Sequence, residues 1–299
     1  MRAAPSGADG RGPSVAGAGR SLAAPAGRRR GRLRRLLGEG MAEKATTPED
    51  QRLLIEVSDR IATITLNRPE ARNAMTKRMR NDLCAALRSC DADDGVDAII
   101  LTGADPVFTG GVDLREVAAD GVTDSPGGNK RQAEDPAQAC RDSAKPLICA
   151  VNGTCVTGGL EIALSCDFIV ASDQARFADT HAKIGVIAAW GMTALLPRAV
   201  GKRMAKEMSA TSRFVYAEEA LRIGLVNHVV SHDALLGHAR DLAAQIVAAT
   251  TPATSATMQI YDDTDGLSFA EAKDLEEQAM RNWAVDTDDM QRRGLGKGS

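Results

Sequence analysis

Three short runs constrain this chain most: residues 98–101 (Ala-Ile-Ile-Leu), 147–151 (Leu-Ile-Cys-Ala-Val) and 168–171 (Phe-Ile-Val-Ala), in which no position is polar. A half-buried strand alternates apolar with polar residues, because successive side chains point to opposite faces. A run of four or five apolar residues without alternation predicts a strand buried on both faces, as in a parallel sheet covered by helices. The helix-compatible stretch 160–165 lies between the last two runs, and strand–helix–strand order implies βαβ units. Upstream, residues 53–57 and 61–66 flank Ser58-Asp59-Arg60 and predict a hairpin, which Asn67-Arg68-Pro69 ends. Thr76 has the position of a helix N-cap, with Met79, Leu83, Ala86 and Leu87 on one face and residues 91–95 as the stop. Beyond Trp190 the pattern is mostly helical, amphipathic at 233–249 and 268–284, with one strand-like run at 225–230. Residues 117–135, rich in Gly, Asp and Pro, read as a mobile surface loop.

The charge is as uneven as the hydropathy. Residues 1–40 carry nine arginines and two acids, a net of +7; the whole chain of 299 residues carries −3, so the remainder carries −10. A body of that sign is a poor non-specific ligand for nucleic acid, whose binding rests on phosphate neutralisation. The leader is dominated by Gly, Ala and Arg and lacks apolar periodicity, so burial cannot order it. It reads as a disordered basic leader or a stretch upstream of the true start, Met41, rather than a basic arm or an Arg-rich transit peptide. An apolar fraction of 43% excludes a mostly disordered or collagen-like chain. No stretch approaches the ~20 apolar residues of a membrane span, so no membrane partner is expected. The six cysteines form no CxxC pair and follow no apolar secretory segment, which predicts reduced thiols and a cytoplasmic setting. The four histidines have no zinc spacing, and neither a metal nor a cofactor is expected.

Two glycine-rich turns follow predicted strands: Phe108-Thr109-Gly110-Gly111-Val112-Asp113-Leu114, and residues 152–161, which include Gly158-Gly159-Leu160-Glu161. Glycine lets the backbone approach a ligand closely. A helix starting near Gly158 would aim its free N–H groups and positive dipole end at that ligand. Neither turn has the spacing of a phosphate loop, a dinucleotide fingerprint or a nucleophile elbow. They suit a small anionic centre such as an oxyanion, with Glu161 as acid/base partner; tight turns and a solvated helix-terminal carboxylate would produce the same residues.

The chain resembles the crotonase (enoyl-CoA hydratase/isomerase) family over residues 50–285. The resemblance lies in Leu66-Asn67-Arg68-Pro69 with Arg72-Asn73-Ala74-Met75, in residues 108–113, in residues 150–161, in Cys166-Asp167, in Phe177-Ala178 and in the Ala-Leu…Gly-Leu-Val of 220–229. It implies an α/β fold, a crotonase-like ββα spiral with a helical C-terminal trimerisation region: residues 49–230 as the spiral core, 231–299 as the helical region, and 1–48 as the leader. It implies an acyl-CoA substrate, no separate cofactor, and a homotrimer or dimer of trimers. It further implies an oxyanion hole from the N–H groups of Val112 and Gly158, with Arg72, Ala74, Gly111, Val112, Asp113, Leu114, Arg115, Gly159 and Trp190 contacting substrate. Arg292, Arg293 and Lys297 read as plain surface charge.

Hydratases of this family use two glutamates around one water. The first matches Glu161. At the second's position, counted from Phe177-Ala178 and Ile184-Gly185, the chain has His181, and the usually glycine-rich stretch after it reads Ile187-Ala188-Ala189-Trp190-Gly191. Histidine can give or take a proton near neutrality, so His181 either replaces the glutamate or only lines the acyl pocket. Asp179 is a further carboxylate two residues away. The resemblance thus implies a 2-enoyl-CoA hydratase of fatty acid β-oxidation type, with an enoyl-CoA isomerase or an impaired acyl-CoA-binding homologue as alternatives.

Overall fold

The computed structural model describes residues 51–116, 134–249 and 251–285. The leader, most of the expected loop at 117–135, and the basic residues beyond 285 lie outside the described residues. Asp135, at the end of that loop, instead caps a helix: its carboxylate accepts from the N–H groups of Ala137 and Gln138.

β1 (Leu53–Ser58) and β2 (Ile61–Leu66) pair antiparallel around Asp59 and Arg60. Both turn residues have positive φ, 52° and 65°, the geometry whose twist matches a two-residue hairpin. Thr76 caps α1 (Lys77–Asp91), its hydroxyl accepting from Met79 N–H at 3.2 Å. β3 (Ala98–Gly103) and β4 (Val107–Thr109) follow, then α2 (Pro136–Arg141), β5 (Leu147–Val151), β6 (Thr154–Val156), α3 (Gly158–Ala163), β7 (Phe168–Ser172) and β8 (Arg176–Ala178). From β3 to β8 each pass of the chain thus lays one strand in each of two sheets, β3 with β4, β5 with β6 and β7 with β8. The first sheet runs β1-β2-β3-β5-β7-β10 and is parallel except at β1; the second runs β4-β6-β8-β9. The remaining elements are α4 (Met192–Val200), α5 (Lys202–Thr211), β9 (Val215–Tyr216), α6 (Ala217–Arg222), β10 (His228–Val230), α7 (Leu235–Ala248) and α8 (Thr251–Thr264). The expected strand at 225–230 shrinks to its last three residues, because Leu225 and Val226 are buried in the turn leaving α6.

The unbroken apolar runs have a direct cause. On β3, Ile99 and Leu101 join a core with Met79, Leu83 and Leu87 of α1 and with Phe108 and Phe177 of the second sheet. Ala98 and Ile100 point the other way, onto Leu235, Ala239 and Ala243 of α7. Both faces of the sheet are covered, so a polar side chain there must find its partner inside the protein, as the Thr102 hydroxyl does on the Ala150 carbonyl at 2.8 Å.

The described residues up to Asp263 belong to one compact unit. Residues 264–285 belong to a second, whose helix α9 (Phe269–Asn282) starts with a capping box between Ser268 and Glu271 and exposes Phe269 and Met280. Among the described residues no helix is long and apolar enough to cross a membrane.

Candidate active site

Strands β4, β6 and β8 are adjacent and parallel, with Thr109 opposite Cys155 and Val156 opposite Ala178. Their carboxyl ends therefore deliver three segments to one place: Gly110–Val112, Thr157–Glu161 and Asp179–His181. Sites in α/β proteins gather at such strand ends because the chain leaves the sheet there in loops that are free to vary.

The first two segments nearly touch. Gly111 has φ +86°, and a Cβ built on it would lie 3.0 Å from Gly158 N and 3.1 Å from Thr157 Oγ1. The Gly111 carbonyl accepts from Met75 N–H (2.8 Å) and Asp113 N–H donates to the Met75 carbonyl (3.0 Å), so in this parallel bridge the N–H of Val112 faces away from Met75. Thr157 has φ +51° and ψ −124°, rare for a β-branched residue. Its hydroxyl lies 3.4 Å from the Gly110 carbonyl and 3.2 Å from the Thr180 hydroxyl, tying all three segments together. Among the described residues the N–H groups of Val112 and Gly158 have no hydrogen-bond acceptor. α3 is six residues long, so its contribution is this free N–H rather than a large dipole.

Glu161, one turn into α3, is 2% exposed. Its Oε1 accepts from the backbone N–H groups of Trp190 (2.7 Å) and Met192 (3.2 Å). Its Oε2 faces His181 Nε2 at 3.4 Å. His181 Nδ1 lies 2.7 Å from Asp179 Oδ1, and Asp179 Oδ2 accepts from the Ser209 hydroxyl at 2.6 Å. Burial pulls the imidazole pKa down, but the hydrogen bonds to Asp179 and Glu161 outweigh it and push it up to about 9. Burial also opposes ionisation of Asp179, yet its bonds to His181 and Ser209 hold its carboxyl below the usual range.

A cleft of about 800 Å³ adjoins this cluster, and Gly110, Val112 and Thr180 of the three segments are among its lining residues. Of the residues expected to contact substrate, Arg72, Ala74, Val112, Asp113, Leu114 and Arg115 line it. Asp113 mainly holds the turn, pairing with Arg68 at 3.1 Å and accepting from Arg115 N–H at 3.1 Å. Gly159 does not line the cleft: it is buried against β4, where an added Cβ would meet Thr109 Cγ2 at 2.6 Å. Trp190 is also off the cleft wall; its ring covers Gly158, 2.8 Å from where a Cβ would stand. Arg176 and Phe214 are among the lining residues that the sequence reading did not single out. Arg176 places its guanidinium 4.7 Å from the Phe214 ring centroid, with Nε on the Thr154 hydroxyl at 2.9 Å. They are 38 positions apart, and no motif links them.

The family model described as enoyl-CoA hydratase/isomerase matches residues 56–297. A probable peroxisomal enoyl-CoA hydratase 1 of Arabidopsis thaliana is 41% identical over 187 residues, 62% of this chain and 69% of that protein. A probable enoyl-CoA hydratase of Rhizobium meliloti is 37% identical over 235 residues, 77% of this chain and 88% of its own length. The crystal structure of an enoyl-CoA hydratase from Mycobacterium avium superposes with a TM-score of 0.64 at 42% identity, covering 78% of this chain and 96% of the other.

Proposed function

The chain belongs to the enoyl-CoA hydratase/isomerase family, and from that premise we infer that it is an enoyl-CoA hydratase, adding water across the C2–C3 double bond of a 2-enoyl-CoA to give the 3-hydroxyacyl-CoA. The observation that carries this reading is the contact between Glu161 and His181, 3.4 Å apart in a buried site. Hydration needs a base for the water and an acid for C2, whereas moving a double bond along the chain needs only one group. Glu161 takes the proton from water as the oxygen adds to C3, and His181 supplies the proton to C2. The thioester oxygen, which gains charge as C3 is attacked, sits against the N–H groups of Val112 and Gly158. Donors aimed at developing charge contribute about 3–4 kcal/mol each. The cleft takes the rest of coenzyme A, with Arg72, Arg115 and Arg176 as the cations for its phosphates. Exposed Phe269 and Met280 on α9 support a role for the helical C-terminal region in a homotrimer or dimer of trimers. Formation of 3-hydroxybutyryl-CoA from crotonyl-CoA tests the reading; tight thioester binding without product contradicts it.

Trp190 limits the acyl length from its place over Gly158 rather than from the cleft wall. Its N–H holds Glu161, its carbonyl is held by Arg141 at 3.0 Å, and its ring rests on Gly158 beside the thioester position. Although the ring lies outside the cleft lining, its fixed place against Gly158 limits the space beyond the thioester carbonyl and favours a short acyl chain. A kcat/KM series over enoyl-CoA lengths is expected to fall by about 10-fold or more from four carbons to eight, and Trp190→Ala, which keeps the N–H, to flatten it. An eight-carbon substrate used by the wild type as well as the four-carbon one contradicts this role.

A further inference from the structure

Asp179 directly follows β8, and its two carboxylate oxygens are committed in different directions. Oδ1 receives both the His181 backbone N–H (3.2 Å) and the His181 ring Nδ1 (2.7 Å); Oδ2 receives the Ser209 hydroxyl from α5 (2.6 Å). Asp179 is 5% exposed and the His181 side chain 13% exposed, so water competes poorly for these bonds. Because a carboxylate at Oδ1 only accepts, Nδ1 carries a hydrogen, and the ring is turned so that Nε2 faces Glu161. The charged groups facing the imidazole are Glu161 from α3 and Asp179 from its own segment. α5 contributes the neutral Ser209. Lys183, on the same turn, is spent on the Ser212 carbonyl at 3.0 Å.

We propose that Asp179 and Ser209 are positioning residues that hold His181 as an imidazolium aimed at Glu161, so that the catalytic pair keeps its one mobile proton on the ring rather than on a carboxyl group. This rests on the hydratase reading of the same site. The resting pair is then carboxylate and imidazolium. As hydration proceeds, the water O–H bond breaks toward Glu161 and the C3–O bond forms. The His181 Nε2–H bond breaks toward C2, with the π electrons of the double bond ending in the new C2–H bond. The pair is left as carboxylic acid and neutral imidazole. One proton transfer from Glu161 Oε2 to His181 Nε2, directly or through the next water, restores the starting state, and the balance is one water consumed per product. Asp179 touches neither substrate nor water in this scheme.

The working state needs the imidazole protonated, so the rate should persist through neutrality and be lost as pH rises through about 9. Asp179→Asn removes the charge that favours the imidazolium, and its alkaline limb should move down by about 1–2 pH units, with kcat at pH 8 lowered and KM for crotonyl-CoA nearly unchanged. Ser209→Ala leaves Asp179 charged but frees its carboxylate to turn off the ring, so it should move the limb less, in the same direction, and Ser209→Thr, which keeps the hydroxyl, should restore it. Thermal melting identifies any variant that fails to fold, and the Ser209 pair still decides the matter if Asp179→Asn does. A limb unchanged in the folded variants overturns the proposal. NMR titration of imidazole-labelled protein, with His181→Gln to assign the resonance, tests the same point without turnover. A His181 that titrates near 6.5 in the wild type overturns the relay. One that titrates near 9 and falls in Asp179→Asn supports it even if crotonyl-CoA is not hydrated, in which case the hydratase reading alone fails.

Discussion

Glu161→Gln lowers kcat for crotonyl-CoA hydration by about 10²–10³-fold while binding of the saturated butyryl-CoA stays within about twofold. The substitution is nearly isosteric and buried. The amide oxygen can still accept from the N–H groups of Trp190 and Met192, which fix Oε1 at 2.7 and 3.2 Å. The loss falls on Oε2, the atom that faces His181. There the amide presents an NH₂ group, which cannot take a proton from water and which turns a donor toward an imidazolium. Because Glu161 lies one turn past the Gly158 donor rather than in the cleft, thioester binding has no reason to change. A proportional rise in KM with little change in kcat would assign Glu161 to binding.

The second large effect is expected at a residue with no chemistry of its own. Gly111→Val should reduce kcat/KM by about 10²-fold or more, because it disturbs at once both N–H groups proposed to hold the thioester oxygen. Gly111 lies at φ +86°, where a β-branched residue is strained, and its Cβ would stand 3.0 Å from Gly158 N. Either the 110–113 turn or the Thr157–Gly158 corner must give way, and in both cases the N–H groups of Val112 and Gly158 lose their common target. Gly110→Ala is the control: its Cβ would meet the Arg72 carbonyl at 3.6 Å, ordinary contact, and activity should stay near wild type. Equal losses in the two variants would mean that the loop tolerates no substitution, and would remove the support for paired donors.

The long strands were legible because burial on both faces leaves a run without polar positions, as at 98–101 and 147–151. The hairpin and the Thr76 cap were legible because their signals are local. The second sheet was not. Its strands are two or three residues long, too short to show a period, and β6 sits inside what reads as a glycine turn. The same limit hid the reason that the two glycine turns converge, which is the parallel pairing of β4 with β6. Glu161 and His181 were legible from their places in the family pattern. Their surroundings were not, since Ser209 reaches Asp179 across 30 positions and the bonds that fix Glu161 come from backbone N–H groups, which carry no sequence signal. Asp179 could be counted from sequence as a second carboxylate; only its bond to the His181 ring shows it to be directed at histidine.

In the proposed mechanism a carboxylate and an imidazolium divide one water between C3 and C2. Incubating crotonyl-CoA with the protein in ¹⁸O-labelled D₂O and analysing the product by mass spectrometry and NMR tests it most directly. The expected product is 3-hydroxybutyryl-CoA with one ¹⁸O at C3 and one deuterium at C2, formed at a rate that Glu161→Gln lowers by about 10²–10³-fold. Deuterium entering C4 without ¹⁸O, or no product while the thioester is bound, would contradict it.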